Sequence, residues 1–445
     1  MSTDAPTGPE QIRAAGPRLP ALTLPRLLPQ PHDPVPLSPQ AHSARYGPLP
    51  VIRPGELIDL VEAAGLTGRG GAGFPTHRKL RAVAAGRSPV VVANGAEGEP
   101  ASSKDLVLLA TSPQLVLDGL QLAAAAVGAR RGYLYVHADV RLEPIIRQAL
   151  DERAAENGRS GRRAEVPITV VTAPARFLAG EESALAARIS GGPALPRSVP
   201  PRVFQQGVDR RPTLVQNVET LAHLALVARF GPAWFRALGT PAEPGSALFT
   251  VSGGVARPGV IEAGLGTTIR DLLSTAGWTP APVQALLIGG YHGAWLPATE
   301  VDAGVLSNDY LRPRGATLGA GIVLALPADA CGVIETARAV RYLAGESAGQ
   351  CGPCRNGLPA IAGALLELAG PGRTAVQQGQ VRRWADMIEH RGACHHPDGS
   401  VRFIRSALRV FAAEYDLHAH GRCSATSRGA VLPVLPGPVS AQDWS

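Results

Sequence analysis

Four glycines fall within six residues, from Gly68 to Gly73, and this segment constrains the fold more than any other. Glycine adopts positive φ angles and has no side chain to block another backbone or a ligand. The amide groups of such a loop can converge on anionic oxygens, and Arg69 and Lys79 place positive charge on either side of it. We therefore expect either a nucleotide-phosphate site or a structural turn here.

The glycine spacing also fits G-x-G-x-x-G, the fingerprint of dinucleotide-binding folds. That fingerprint follows a β-strand, whereas residues 56–64, which precede the loop, carry apolar residues at helical spacing. Thr76 then fits the N-cap of a second helix. The sequence thus predicts a glycine loop between two helices rather than an ordinary Rossmann turn.

A short apolar strand at residues 89–94 runs into polar and acidic side chains. Asn94, Glu97 and Glu99 lie at its carboxyl end, where open α/β sheets bind their ligands. Amide and carboxylate groups offer hydrogen bonds to a heterocycle edge, a ribose or a carboxamide. The simpler interpretation is a solvated loop.

Strands and helices alternate along the first half of the chain, which predicts an α/β domain with a mostly parallel sheet. In this half, the helices are predicted over 54–65, 76–86, 113–127, 141–157 and 215–230, and the strands over 89–94, 132–137 and 166–172. Short strands are predicted next over 248–251, 259–262 and 285–288, with one at 322–326 that returns toward the first domain. Helical segments over 331–347, 353–369, 373–390 and 400–417 then indicate a four-helix bundle.

These patterns divide the chain into five parts. They are a proline-rich disordered arm at 1–50, an α/β domain at 51–240, a small ββαβ domain at 246–305, a helical bundle at 328–420 and a disordered tail at 421–445.

Composition excludes several classes of function. The formal net charge is +7, but no basic tract is interleaved with aromatic residues, so nucleic-acid binding is not expected. No run of 18 apolar residues indicates a membrane span, and no apolar segment behind a charged start indicates a signal peptide. Five cysteines in 445 residues do not form a disulfide framework, which favours a reducing cytoplasm.

Three of the cysteines have the spacing of metal ligands. Cys351 and Cys354 form a C-x-x-C pair, and Cys394 follows forty positions later. Thiolates at this spacing can chelate one metal centre. Cys331 begins a predicted helix and is expected to be a small buried hydrophobic residue.

Five segments in order carry a family resemblance: GRGGAGFPTHRK, ANGAEGEPASSKD, GEESAL, PTLVQNVET and ESAGQCGPCR. They resemble the flavin-carrying, NADH-binding subunit of respiratory complex I, a module that also occurs in NAD-linked hydrogenases and formate dehydrogenases. The resemblance covers roughly residues 52–417. It implies an FMN-binding α/β domain, then a β-grasp (soluble-ligand-binding, SLBB) domain, and a C-terminal bundle that carries an Fe–S cluster.

The resemblance also implies roles for individual residues. Those expected around FMN are Gly68, Arg69, Gly70, Gly71, Lys79, Asn94, Glu97, Glu182, Gln216 and Asn217. NADH is expected to contact Phe74, Glu99 and Glu181, of which the two glutamates would serve hydride transfer. Electrons would then pass to the cluster held by Cys351, Cys354 and Cys394, and on to an Fe–S carrier protein that is ferredoxin-like or thioredoxin-like.

The chain departs from the family pattern at the cluster, because Ala348 stands where the first of three closely spaced cysteines is expected. A [4Fe–4S] cluster could take an oxygen ligand, His395 or His396 at its fourth iron, or Cys423 could fold back to it. A [3Fe–4S] cluster, a Cys3His zinc site that includes His390, His395 or His396, and a metal-free redox pair are the other interpretations.

Further departures affect the flavin and NADH sites. Ala96 and Phe177 each lack a polar group that the family has, Gln216 replaces one asparagine of a pair, and Ala82 replaces the second aromatic around adenine. The principal hypothesis is an NADH-oxidising flavoprotein. The alternative is a flavin-binding electron-transfer or scaffold subunit that no longer oxidises NADH.

Overall fold

The computed structural model describes residues 24–160, 165–198, 200–370, 378–427, 429–434 and 444. Its first sheet contains four parallel strands in the order β3-β2-β1-β4. Their bounds are β1 (Val90–Gly95), β2 (Gly132–His137), β3 (Ile168–Ala173) and β4 (Thr213–Asn217). The apolar strand β1 is central and buried because helices cover both faces of a parallel sheet. The predicted α/β class is confirmed.

Eight helices accompany this sheet in the described residues. They are α1 (Pro39–Tyr46), α2 (Pro54–Ala64), α3 (Thr76–Ala84), α4 (Lys104–Thr111), α5 (Pro113–Val127), α6 (Leu142–Ser160), α7 (Glu182–Ile189) and α8 (Val218–Arg236). No single helix in the described residues is long and apolar enough to cross a membrane, although α4 and α5 together would pass by length and composition across a 97° bend.

The predicted helix over 215–230 is wrong at its start. Thr213–Asn217 form strand β4, which pairs with β1 through Leu214 and Val215, and α8 begins only at Val218. Apolar side chains at these two positions are buried in the sheet, and the Asn217 side chain accepts the amide of Glu219 as the helix cap. The change places Gln216 and Asn217 at the carboxyl end of a parallel strand.

The predicted disordered arm differs from the structure over residues 24–50. Leu27 and Tyr46 are buried, and the amides of Arg26 and Leu27 donate to Glu262 at 2.7 and 2.8 Å. A few apolar residues between the prolines are enough to dock this segment on the α/β domain. Residues 1–23 of that arm lie outside the described part of the chain.

The second sheet contains five strands in the order β6-β5-β9-β7-β8. They are β5 (Ser246–Gly253), β6 (Gly259–Gly264), β7 (Val283–Ile288), β8 (Ala294–Pro297) and β9 (Ile322–Pro327), with the short helices α9 (Ile269–Thr275), α10 (Glu300–Ala303) and α11 (Asn308–Leu311). The prediction that the strand at 322–326 returns toward the first domain is wrong. Strand β9 lies between β5 and β7, pairing Thr250 with Ile322 in parallel.

The C-terminal region is helical, as predicted. It contains α12 (Gly332–Gly345), α13 (Leu358–Ala369), α14 (Gln378–Ile388), α15 (His396–Val410) and α16 (Ala412–Ala419), so the last predicted helix is two helices that meet at Phe411. The expected disordered tail differs over 421–427 and 429–434, where Leu432 is buried against the helical core. Apart from Trp444, the later tail residues lie outside the described ones.

A buried ion cluster joins the N-terminal segment to the α/β core. Asp118 accepts hydrogen bonds from His42 and Arg153 at 2.8 Å each and pairs with Arg229. Burial alone would raise the pKa of Asp118, but the His42 hydrogen bond and the two guanidinium groups hold it far below its usual range.

We expect Asp118→Asn to lower the free energy of unfolding by about 3–5 kcal/mol, because it removes the carboxylate that pairs with the buried Arg229 guanidinium and one of the two that pair with Arg153. Denaturant unfolding at neutral pH measures this loss. Asp139→Asn is the matched control, since Asp139 pairs only with the exposed side chain of Arg141 among the described ion pairs. If Asp118→Asn lowers the free energy of unfolding no more than Asp139→Asn does, the expectation is contradicted.

Candidate functional site

The glycine loop lies between α2 and α3, as the sequence predicts. The amide of Gly68 donates to the Phe74 carbonyl at 2.9 Å, and the amide of Arg69 donates to the Thr220 hydroxyl at 2.8 Å. A Cβ atom on Gly70 would lie 3.2 Å from the Asn217 Cβ, and Gly71 has a φ of 115°. The loop therefore docks on the start of α8, at the carboxyl end of β4.

The adjacent strands β1 and β4 bring Asn94 and Asn217 side by side at their carboxyl ends. The Asn217 amide donates to the Asn94 carbonyl at 3.4 Å. The neighbouring Gln216 is 3% exposed, and its side-chain nitrogen has no hydrogen-bond partner in the described part of the chain. A buried amide donor without a partner at this edge fits a site that binds a polar heterocycle or phosphate ester.

The 3-10 turn Phe177–Gly180 forms the next wall of the site. Its Gly180 carbonyl accepts a hydrogen bond from the Asn94 side chain at 2.9 Å. A Cβ atom on Gly180 would lie 2.6 Å from the Ala96 carbonyl oxygen, so only glycine permits this approach. The segment after β1 is therefore held against the turn that leads into α7.

Glu181 and Glu182 lie at the start of α7 and have different partners. Glu181 caps the helix, accepting the amides of Ser183 and Ala184 at 2.9 and 3.0 Å. Glu182 pairs with Lys79, whose ammonium group also lies 3.4 Å from the Val215 carbonyl. The structure thus brings Lys79, Glu181 and Glu182 to the edge that Asn94, Gln216 and Asn217 form.

Glu97 and Glu99 are held by the protein itself. Glu97 accepts the Ser102 hydroxyl and the amide of Asp105 at the start of α4. Glu99 is 9% exposed and accepts the amide of Tyr291, from the second sheet's loop, at 3.1–3.2 Å. Burial raises the pKa of Glu97 to about 7 and that of Glu99 to about 8. Such carboxyl groups retain protons near neutral pH, which lowers the cost of binding an anionic ligand beside them.

Arg69 and Phe74 lie apart from this edge in different ways. The Arg69 guanidinium donates to the Thr67 hydroxyl and the Pro244 carbonyl at 3.2 and 3.3 Å, so it anchors the loop to the linker before the second sheet. Phe74 is 45% exposed at the end of the loop, where its ring is open to a ligand. Ala82, the position of the missing second aromatic, is exposed on α3.

Lys104 belongs to the site but was not among the predicted site residues. Its buried ammonium group lies 2.8 Å from Asp105 and from Glu219, and 3.5 Å from the Asn217 side-chain oxygen. With Glu219, three loop glycines and Gly319 it lines a cavity of about 40 Å³. Lys104 holds Asp105, and Asp105 accepts the Asn217 side-chain amide at 2.6 Å, so this buried group fixes the Asn217 side chain. The signal that could have found it was a lysine soon after the acidic segment at the end of β1.

The three predicted metal ligands come together. Cys354 lies in the turn before α13 and Cys394 just before α15. Burial raises the pKa of the Cys354 thiol, and the nearby Cys351 and Cys394 sulfurs raise it further. Ala348 packs in one apolar cluster with Cys394. Three neighbouring thiols, with an alanine at the position of the missing cysteine, fit a cluster that takes three ligands from the protein.

The proposed fourth ligands are engaged or distant in this structure. The His396 ring nitrogens lie 3.1 Å from the His292 ring and 2.8 Å from the Leu343 carbonyl. The side chains of His390 and His395 are 82% and 96% exposed, beside Asp398. Cys423 lies with Cys331 instead, and the expectation that Cys331 is only a small hydrophobic residue is incomplete, since its sulfur contacts His418 at 3.4 Å.

The glycine-loop edge and the cysteines are neighbours in space. Ala96 and Phe177, beside the edge of the sheet, pack against the same hydrophobic cluster as Ala348 and Cys394 in the cysteine region. The Glu181 carboxylate is close enough to raise the pKa of the Cys394 thiol, although burial is the larger cause. The turn Phe177–Gly180, the edge of the sheet and the segments of Ala348 and Cys394 therefore border one packed cluster.

Three segments of the chain match known protein families. Residues 61–226 match the family described as Nuo51 FMN-binding domain, 248–286 the SLBB domain and 335–418 the NADH-ubiquinone oxidoreductase-F iron-sulfur binding region. The chain is 32% identical over 380 residues to an NADH-quinone oxidoreductase F subunit of Rhizobium meliloti, the one numbered 2, and the match covers 83% of this chain and 90% of the relative.

Two more proteins show the same likeness. The NADH-quinone oxidoreductase F subunit of Streptomyces coelicolor is 31% identical over 387 residues, which covers 83% of this chain and 84% of that one. A crystal structure of an NAD+-reducing [NiFe]-hydrogenase superposes with a TM-score of 0.74 and 31% identity over 83% of this chain. The chain spans 63% of that hydrogenase chain's length.

The raised pKa of Glu99 gives a pH-dependent prediction. A carboxyl group whose pKa is raised by folding stabilises the fold while protonated, and this contribution is lost as pH rises from its unfolded value toward about 8. Glutamine mimics the protonated form. The wild type should therefore lose free energy of unfolding as pH rises, whereas Glu99→Gln should not. We expect the stability of Glu99→Gln relative to the wild type to increase by about 2–4 kcal/mol from about pH 5.5 to pH 8.5.

Denaturant unfolding at several pH values tests this. Glu143→Gln is the control, because that side chain is 68% exposed on α6. The stability difference between Glu143→Gln and the wild type should not change over this pH range. If the difference between Glu99→Gln and the wild type does not change either, the Glu99 carboxyl is not buried in its protonated form.

Proposed function

The chain belongs to the family of NADH-quinone oxidoreductase F subunits, which are FMN- and iron–sulfur-binding electron-transfer proteins, and we propose that it oxidises NADH and passes the electrons to an Fe–S carrier protein. When bound, FMN would accept a hydride from NADH and deliver electrons singly to an Fe–S cluster. The observation that carries the proposal is the shared packing of Ala96 and Phe177 with Ala348 and Cys394, because electron transfer needs the two sites close together.

The residues at the strand ends would hold FMN. The unpartnered Gln216 side-chain nitrogen offers a donor at the edge of the sheet, beside the Asn94 and Asn217 side chains, which the protein itself holds, and the loop amides would offer donors for a phosphate. Lys79 supplies positive charge there, while its partner Glu182 offers an acceptor. Lys104 and Asp105 orient Asn217 from below, so the amide is fixed before any ligand arrives.

NADH would enter beside the exposed ring of Phe74. The domain arrangement places Glu99 under Tyr291, where a protonated carboxyl can donate a hydrogen bond to a nicotinamide carboxamide. Glu181, fixed by its helix cap, offers a second polar contact near the cysteines. Without a second aromatic at Ala82, stacking on one face alone would weaken NADH binding by about 0.5–1.5 kcal/mol.

The exposed surface beside the cysteines indicates the kind of electron acceptor. Arg355 and Arg391 are exposed on the segments that carry Cys354 and Cys394, and His395 is exposed next to them. Although Asp398 lies beside His395, the two exposed arginines favour an Fe–S carrier with an acidic docking face, either ferredoxin-like or thioredoxin-like. A cytoplasmic location, predicted from the cysteine content, belongs to the same proposal.

The first test is a spectrum of anaerobically purified protein before and after NADH addition. We expect flavin absorbance to bleach, together with a change in the broad Fe–S absorbance, because NADH would reduce both. A flavin spectrum that does not change when NADH is added would overturn the proposal. It would favour the alternative, a flavin-binding subunit that no longer oxidises NADH. The absence of both flavin and iron would contradict either function.

The open corner at Ala348 gives a second test. We expect Ala348→Cys to raise the iron content per chain and to sharpen the EPR signal of a four-iron cluster, because it adds the fourth thiolate. Ala360→Cys, on the exposed face of α13, is the matched control and should leave both unchanged. An Ala348→Cys protein with the wild-type iron content and EPR signal would mean that the corner is not open.

A further inference from the structure

A second group of metal-binding side chains lies at the far end of the helical region. We define the C-terminal cluster as Cys331, Glu414, His418 and Cys423. Their ligand atoms all lie within 4.8 Å of one another, and the first three residues are buried. The cysteines assigned above to the Fe–S cluster are not part of it, and no function described above uses it.

We propose that the C-terminal cluster binds one zinc ion. The Cys331 sulfur lies 3.4 Å from the His418 Nε2 atom and 4.0 Å from the Glu414 Oε1 atom, and those two atoms are 3.4 Å apart. Ligands of a tetrahedral zinc ion with Zn–S and Zn–N bonds of ordinary length lie about 3.3–3.8 Å apart. Two thiolates, an imidazole and a carboxylate therefore surround one point at nearly the right distances.

The local structure sets these ligands in place. Cys331 is the N-cap of α12, so its side chain lies at the positive end of that helix. Glu414 and His418 are one helical turn apart on α16 and therefore share a face. Cys423 follows that helix and contacts both Cys331 and Glu414 through its thiol.

Groups outside the cluster hold its carboxylate. The Ser424 amide donates to the Glu414 Oε1 atom at 2.9 Å, and the Ser424 hydroxyl donates to the other carboxylate oxygen. Outer hydrogen bonds of this kind orient a metal ligand. Thiolates exclude magnesium and calcium, and four close protein ligands match a closed structural site rather than a catalytic one with an open position.

Other interpretations of the cluster fit less well. A Cys–His–Glu set can also activate a nucleophile, but Cys331 is 4% exposed, so a substrate cannot reach its sulfur. A second thiol in contact with the first adds nothing to that chemistry, whereas it completes a metal site. A disulfide between Cys331 and Cys423 is the remaining competitor and is an outcome of the test below.

Zinc would fix the segment that follows α16. Beyond Cys423 the amides of Thr426 and Ser427 donate to the Asp329 carbonyl at 3.0 and 2.8 Å, and the amide of Leu432 donates to Glu335 at 2.8 Å. This segment thus runs along α12 from the cluster. A metal that joins both ends of the helical region would stabilise its docking by removing freedom from the unfolded chain.

Metal analysis and zinc-edge X-ray absorption of the full chain, purified anaerobically from zinc-supplemented cells, test the proposal. We expect about one zinc per chain, with two sulfur ligands at about 2.3 Å and two nitrogen or oxygen ligands. We expect Cys423→Ser, a change at an exposed residue, to lose most of the zinc while iron stays unchanged. Cys354→Ser should do the reverse, and His420→Ala, on the same segment, should change neither.

Hydrogen exchange adds a readout that does not depend on the cofactors. We expect amide protection over residues 424–434 to fall in Cys423→Ser and after zinc chelation, but not in His420→Ala. Wild-type protein without zinc, zinc that survives Cys423→Ser, or a Cys331–Cys423 disulfide in the anaerobic protein would each overturn the proposal.

Discussion

The close approach of two backbone segments supports the whole arrangement. Residues 96–98, which follow the central strand, pass within contact distance of the turn Phe177–Gly180, and only glycine at Gly98 and Gly180 leaves room for it. The sheet contributes the amide groups at its edge, while the turn faces the helical region and its cysteines. A side chain at either glycine would push the two sites apart, and electron transfer depends on their separation.

Charge in the site is organised by burial rather than by surface pairing. Lys104 sits between Asp105 and Glu219 with almost no exposure, and this group fixes Asn217 at the mouth of β4. Replacing Lys104 would leave both carboxylates buried without this cation, which is strongly destabilising. By contrast, burial dominates at Glu97 and Glu99: it raises the pKa of Glu99, and together with the nearby Asp105 it outweighs the effect of Lys104 on Glu97. The same edge thus combines a rigid charged base with carboxyl groups able to donate hydrogen bonds.

The second sheet does more than separate two domains. Its loop at Tyr291 donates an amide to Glu99, and the Tyr291 hydroxyl donates to the Pro433 carbonyl of the C-terminal segment at 2.6 Å. The proposed nicotinamide contact, the second sheet and the tail are therefore joined through one tyrosine. Whatever stabilises the tail also stabilises the loop that holds Glu99.

Local features of the sequence determined the parts of this protein that depend on neighbouring residues. The alternation of strands and helices, the glycine loop between α2 and α3, and the C-x-x-C pair are properties of short segments, and the structure has each of them. Tertiary structure alone decided the rest. Strand β9 lies in the second sheet, and strand β4 occupies residues that were predicted to begin a helix. Glu99 accepts a hydrogen bond from Tyr291, 192 positions away. Cys331 met His418 across 87 positions. Such contacts depend on how whole elements pack to bury their apolar faces, and no local pattern encodes which distant partner completes that burial.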